Sequence, residues 1–215
     1  MAVFDEDAKS RAEDLMSSYA CSDWHRMCTA EQIQINFYVL DVLDRIVGKR
    51  SVSEQCLDIG SAHWNYLPAL AAFSQTPWQG VELDAHQRYI DFTTRRAQAE
   101  YMASFFPGSA YHVGSVLQLN ESYNFITWLL PYVCIEPLHY AGLPKEYFQP
   151  DSLLQHVWGH LKSGGVLFVI NQGEQEAEEQ GRLFAQLGVQ AKPVKLKSVF
   201  SIFKKQRFAW CVEKL

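Results

Sequence analysis

What the 215-residue chain lacks narrows its class before any motif does. It has no excess of positive charge: 19 Lys and Arg stand against 24 Asp and Glu, a formal net charge of -5. That balance argues against a protein whose whole surface grips nucleic acid and favours a small-molecule or protein partner. No apolar run approaches the roughly 18 residues needed to span a bilayer, and residues 1–7 have neither the basic nor the apolar region of a secretory signal. No membrane association and a cytoplasmic location are therefore expected. The five cysteines (Cys21, Cys28, Cys56, Cys134, Cys211) are odd in number and scattered, which suits reduced thiols better than a disulfide framework. Cys21, His25 and Cys28 have the chemistry of metal ligands, but they lack a fourth ligand and a zinc-site spacing, so no metal is assigned. There is no internal repeat, low-complexity segment or linker that would separate two domains.

What is present is enough apolar material for one sizeable core, 48% hydrophobic and 13% aromatic residues. Residues 1–50 read as an N-terminal helical cover. One helix is expected over residues 5–20, and a second starts at a capping box formed by Thr29 and Gln32. Its apolar period through Ile33, Phe37, Leu40, Leu43 and Val47 stops at Gly48. Residues 51–215 then alternate strand and helix, forming one unit with the cover.

The strand-like runs are 56–59, 80–83, 110–113, 123–130, 166–170, 194–203 and 208–212. Between them Asn65 is expected to cap a helix reaching Ser74, and Asp84 with Gln87 to open a long helix through Tyr89, Phe92, Ala97 and Tyr101. A Pro-rich connection covers 131–150, and helices are expected over 151–161 and 174–187. Residues 162–165 read as a turn, and Lys204, Lys205, Gln206 and Arg207 form a basic turn between the last two strands.

The densest information lies in Leu57-Asp58-Ile59-Gly60-Ser61 and in Gly80-Val81-Glu82-Leu83-Asp84, two short apolar strands that each end in an acidic residue. Gly60 lets backbone approach a ligand at the carboxyl end of a strand. Glu82, about 20 residues on, can accept hydrogen bonds from both ribose hydroxyls of an adenosine cofactor. Asp84 fits better as a helix cap than as a second cofactor acid.

With Leu161-Lys162-Ser163-Gly164-Gly165-Val166-Leu167 and the terminal hairpin, these segments make the chain from Leu57 to Leu215 resemble the class I S-adenosylmethionine-dependent methyltransferases. The resemblance implies an α/β, Rossmann-like fold: a seven-stranded, mostly parallel sheet with helices on both faces and a C-terminal antiparallel hairpin. It also implies S-adenosylmethionine as cofactor and S-adenosylhomocysteine as product. Asp58, Gly60, Ser61, Ala62, Glu82, Leu83, Ser115, Val116 and Leu129 take the cofactor-binding positions. The sequence departs from the family where Ala62 and the bulky Trp64 stand in place of common glycines, and where Ser115 holds a place often acidic.

Methyl transfer is an in-line displacement in which positioning does much of the work, so a catalytic residue need not advertise itself. The place to look is the end of the fourth strand, where Tyr132, Glu136 and His139 are the catalytic candidates, under a connection that reads as a substrate lid. Leu130-Pro131-Tyr132 lacks the polar first residue found in amino-methyltransferases of nucleic acids. Trp24, His25, Asn171 and Glu174 are the candidates for acceptor contact, the first two from an N-terminal break expected to fold over the pocket mouth. Glu176, Glu178 and Glu179 read as helix N-terminal carboxylates, and the lysines near the C-terminus as a solvated sheet edge. The expected acceptor is a small molecule methylated on oxygen or nitrogen. Two other readings stand beside it: a non-catalytic binding protein that keeps the fold with Trp64 filling the adenosyl cavity, and an aminopropyl transferase using Glu136 and Glu174 as a diamine pocket.

Overall fold

A computed structural model describes residues 4–49 and 55–215. The expected boundary between cover and core, at residues 50 and 51, lies outside the described residues. The chain begins with helix α1 (Glu6–Ser18), a 3-10 turn (Ser22–Arg26) and α2 (Ala30–Ile46), and α2 starts at the expected capping box between Thr29 and Gln32. A partly buried ion network fastens the two helices. Arg11 donates to Asp41 at 2.7 Å and to Asp44 at 2.5 Å, while Tyr19 donates its hydroxyl to Asp44 at 2.6 Å.

The core alternates strand and helix: β1 (Cys56–Ile59), α3 (Leu67–Ser74), β2 (Trp78–Glu82), α4 (Arg95–Ala103), β3 (Ala110–Val113) and β4 (Tyr123–Leu129). It continues with α5 (Ile135–Tyr140), α6 (Pro150–His160), β5 (Leu161–Gln172), α7 (Glu174–Gln186), β6 (Val194–Lys195) and β7 (Arg207–Glu213). The strands form one seven-stranded sheet in the order β3-β2-β1-β4-β5-β7-β6. Strands β1 to β5 pair in parallel, and β7 runs antiparallel to both β5 and β6. The expected architecture is therefore the observed one.

The centre of the sheet is buried on both faces: residues 166–170 of β5 are apolar and buried at every position, not at alternate ones, whereas β3 and β6 at the two edges are largely exposed. Phe168 and Ile170 of β5 join Phe125 of β4 in a core with α1, α2 and α3, while Leu167 and Val169 join Ile126, Trp210 and the α6 and α7 side chains on the other face. The order of strands reverses between β1 and β4, and in open α/β sheets ligands bind outside the carboxyl ends at that switch.

Several elements differ from expectation, each for a physical reason. Helix α3 is not capped by Asn65. Asn36 of α2, fully buried, accepts from the Ala69 N–H at 2.8 Å and donates to the Asn65 carbonyl, so its cap comes from a different helix. The long helix expected from Asp84 begins only at Arg95. Residues 84–94 instead form a loop in which Asp91 accepts from the backbone and hydroxyl of Thr93, Phe92 takes φ +64°, and Thr94 caps α4. The 162–165 turn is absorbed into β5 as an irregularity opposite Tyr123 and Phe125.

The strand expected over 194–203 shrinks to two residues, because the chain leaves the sheet edge to bury Phe200 against Phe37 and Phe4, at ring distances of 5.2 and 5.3 Å. The two terminal strands are therefore joined by a packed loop, not a tight hairpin. The 131–150 connection is not structureless: it carries α5 and a 3-10 turn (Lys145–Tyr147).

Gly80 of β2 is required by close approach. A Cβ there would lie 2.8 Å from both Ser61 Oγ and Trp64 Cζ2. Gly80→Ala is expected to lower the unfolding free energy by about 1–3 kcal/mol, the usual cost of overpacking, as read from urea denaturation. Unchanged stability would mean that the Trp64 ring does not hold this position.

Candidate active site

The loop after β1 carries three glycine-like conformations with only one glycine. Gly60, Ala62 and Trp64 all have positive φ, at 69°, 48° and 53°. For an L-residue this conformation costs about 1–2 kcal/mol, so the surrounding structure must hold it. The Gly60 N–H donates to the Val81 carbonyl at 2.9 Å, the Ala62 N–H donates to Glu82 Oε2 at 2.8 Å, and the Tyr111 hydroxyl donates to the Ala62 carbonyl at 2.7 Å. Trp64, fully buried, lies beneath the loop against Gly80 and 6.0 Å from the Tyr111 ring.

Asp58 lies under the same loop. Thr127 donates to its Oδ1 at 2.6 Å and Tyr66 to its Oδ2 at 2.8 Å. Burial nevertheless pushes its carboxyl up to about 7, against these hydrogen bonds. Ser61, also fully buried, donates its hydroxyl to the Val81 carbonyl. Asp58 and Ser61 thus hold the loop and do not line the cavity above it.

That cavity, about 820 Å³, opens at the carboxyl ends of the strands on both sides of the switch. Of the cofactor candidates, Gly60, Ala62, Glu82, Leu83, Ser115, Val116 and Leu129 line it. No atom lies within 4 Å of where a Gly60 Cβ would be, so the backbone is open to a ligand there. Glu82 is almost buried. Besides Ala62, it accepts from the Asp84 N–H at 2.7 Å, and Arg95 stands 3.5 Å from Oε1. A carboxylate has about four lone-pair sites, so two remain beyond the backbone donors, one of them shared with the long 3.5 Å contact from Arg95. Ser115 caps the short 3-10 turn Val116–Gln118, accepting from the Leu117 N–H at 3.3 Å. The apolar Leu83 and Val116 both line this part of the cavity.

The other half of the cavity is walled by the β4 end, by α5 and by the start of α7. Leu130, the first residue beyond β4, is held at φ +61° by a bond from its N–H to the Ile170 carbonyl. Tyr132 and Glu136 line the wall, as do Tyr140 and Tyr147. Burial raises the Tyr132 phenol, with Glu82 adding to the shift, which leaves it a hydrogen-bond donor at neutral pH. Glu176, from the first turn of α7, also lines the wall. It accepts from the Gln172 N–H at 2.8 Å, and burial raises its carboxyl.

The remaining candidates lie outside this lining. His139 projects from the exposed side of α5. Trp24 is buried in the N-terminal cover, 5.1 Å from the Phe37 ring, and His25 is exposed with Nδ1 against the Ser22 carbonyl, so the break at 22–26 packs onto α2 instead of covering the cavity. Asn171 is buried within the sheet, where its Oδ1 accepts from the Trp210 indole at 2.9 Å. Glu174 faces solvent, and Gln172, Gly173 and Glu176 take the place expected for Asn171 and Glu174. Sequence reasoning missed Arg95 because it placed it in mid-helix, and missed Glu176 because a helix N-terminus explained it adequately.

Sheet order, the single antiparallel strand β7 and a switch-point cavity bearing Gly60 and Glu82 match the architecture that the resemblance implied. The fold is that of the class I S-adenosylmethionine-dependent methyltransferases. Solved structures of this class I fold superpose on the chain at low identity. A S-adenosylmethionine-dependent methyltransferase from Aquifex aeolicus matches with a TM-score of 0.61 at 12% identity, over 90% of this chain and 98% of that one. A methyltransferase from Pyrococcus furiosus gives 0.57 at 17% identity, over 85% and 83%. Magnesium protoporphyrin IX methyltransferase from Synechocystis, solved with bound S-adenosylmethionine, gives 0.54 at 12% identity, over 99% and 100%. No protein-family model matches the chain, and no curated protein matches it in sequence. Among the described residues, no group of His, Cys, Asp or Glu could hold a metal ion, and no helix is long and apolar enough to cross a membrane.

Proposed function

We propose that the chain is an S-adenosylmethionine-dependent methyltransferase acting on an oxygen or nitrogen of a small-molecule acceptor. The observation that carries this reading is the cavity itself: one half bears an open Gly60 backbone and the Glu82 carboxylate, the other an aromatic and acidic wall. The residues fit the cofactor. Glu82 would accept from the ribose hydroxyls, Leu83 and Val116 would flank the adenine, and the Gly60 and Ala62 backbone would meet the aminoacyl end. When bound, the cofactor supplies an electrophilic sulfonium methyl group.

The chain's own contribution is to orient the acceptor and exclude water. Tyr132 can donate to the acceptor atom, and Glu176, its carboxyl raised by burial, is better placed than an ordinary glutamate to take a proton. The non-catalytic reading rests on Ala62, Trp64 and Ser115; Trp64 is packed beneath the loop, outside the cavity lining, while Ala62 and Ser115 line the cavity. The aminopropyl-transfer alternative keeps Glu136 but loses Glu174 to solvent, with Glu176 in its stead.

Calorimetric titration with S-adenosylhomocysteine is expected to show saturable binding. Absence of heat at millimolar ligand would remove the enzyme reading. Preference for decarboxylated S-adenosylmethionine would favour aminopropyl transfer.

A further inference from the structure

A second cavity, about 180 Å³, lies where the loop between β6 and β7 packs on α2. Its lining includes Lys197, Lys204, Lys205 and Arg207, the hydroxyls of Ser198 and Ser201, and no carboxylate. Among the described residues none of these four cations makes an ion pair. Arg207 is the least solvated of them: its guanidinium stacks 3.3 Å from the Phe203 ring centroid, and its Nε is buried without a partner. Burial lowers the Arg207 pKa, offset in part by Tyr38 and, more distantly, by Glu176 on the wall of the large cavity. A partly desolvated cation with no ion-pair partner in contact is costly, and a bound anion would supply one. The loop that presents the lysines is built, not frayed: Gln206 donates to the Leu196 carbonyl at 2.8 Å, and Phe200 anchors its middle in the core.

We infer that this basic cavity is an anion-binding site for a phosphate group. Four cations and two hydroxyls suit a tetrahedral dianion with many acceptor sites better than a single carboxylate. The volume, roughly that of six waters, admits a phosphate but not a nucleoside. Lys205 lines both this cavity and the large one, so a phosphate here could be free or borne by an acceptor whose remainder lies in the large cavity. The inference does not depend on methyl transfer.

The test is titration with inorganic phosphate at constant ionic strength, chloride replacing phosphate in the control. Saturable binding is expected, weakened about tenfold in a Lys197→Gln, Lys204→Gln double variant, since two exposed charge pairs together contribute on the order of 1.4 kcal/mol. Both side chains are exposed and make no hydrogen bond among the described residues, so the variant should fold and bind S-adenosylhomocysteine as the parent does. Phenyl phosphate separates the sources: tighter binding than inorganic phosphate supports an acceptor-borne group, and equal or weaker binding supports free phosphate. No saturation by either probe, equal binding by the double variant, or a response to a short RNA alone would overturn the assignment.

Discussion

Glu82→Gln is expected to weaken S-adenosylhomocysteine binding about a hundredfold or more. The Glu82 carboxylate accepts from the backbone of Ala62 and of Asp84, so it ties the β1 loop to the end of β2 while keeping acceptor capacity toward the cavity. Two charge-assisted hydrogen bonds to a ribose diol contribute roughly 1.5–3 kcal/mol each, and about 2.7 kcal/mol already corresponds to a hundredfold in affinity. The amide has one oxygen in place of two and turns an N–H toward a donor, so one backbone N–H loses its partner. A loss of about 1–3 kcal/mol in unfolding free energy should accompany the binding defect. Calorimetry on the folded variant separates the two effects, and undiminished affinity would mean that Glu82 is only a latch for the loop.

A second large effect is expected in how stability depends on pH. Asp58 is fully buried and its carboxyl is raised to about 7, whereas in the unfolded chain it returns to about 3.9. Between those values the folded state binds more protons than the unfolded one, so unfolding free energy falls as pH rises. The contribution of this group is complete below about pH 4 and lost above about pH 7. Asp58→Asn has no such titration. Its stability deficit relative to the parent should therefore shrink by up to about 4 kcal/mol from acid to alkaline pH. Urea denaturation of both proteins across this range measures it. A pH-independent difference would show that Thr127 and Tyr66 keep the carboxylate ionised throughout.

The sequence made most of the fold legible because each local signal had a local cause. The capping box at Thr29 and Gln32 starts α2 within four residues of chain, and the run from Tyr123 to Leu129 reads as a strand buried on both faces because no polar face interrupts it. The failures have distant causes. Helix α3 is capped by Asn36, 33 residues from Ala69, and no pattern around residue 65 could reveal it. Residues 84–94 have helical composition, yet the chain bends there because Arg95 and Arg96 donate their N–H groups back to Gln87 and Ala85, bringing the Arg95 side chain beside Glu82. Phe200 leaves a strand-like sequence to be buried against Phe37, a residue more than 160 positions away in the chain.

By itself the sequence determined the sheet, its alternation with helices, and the half of the cavity that bears Gly60 and Glu82. Those depend on hydrophobic period and on residues adjacent in the chain, Gly60 and Glu82 standing at the ends of the strands that carry them. Tertiary structure alone decided the other half. Which of Asn171, Gln172, Glu174 and Glu176 faces the cavity is set by strand pleat and helix phase, and packing around Leu138 turns His139 outward on α5 while Glu136 stays at the wall. It also decided the meaning of Trp64. A bulky residue in place of a glycine looks like an obstruction in sequence, but a left-handed backbone aims its ring beneath the loop, into space left by Gly80, and the cavity above stays open.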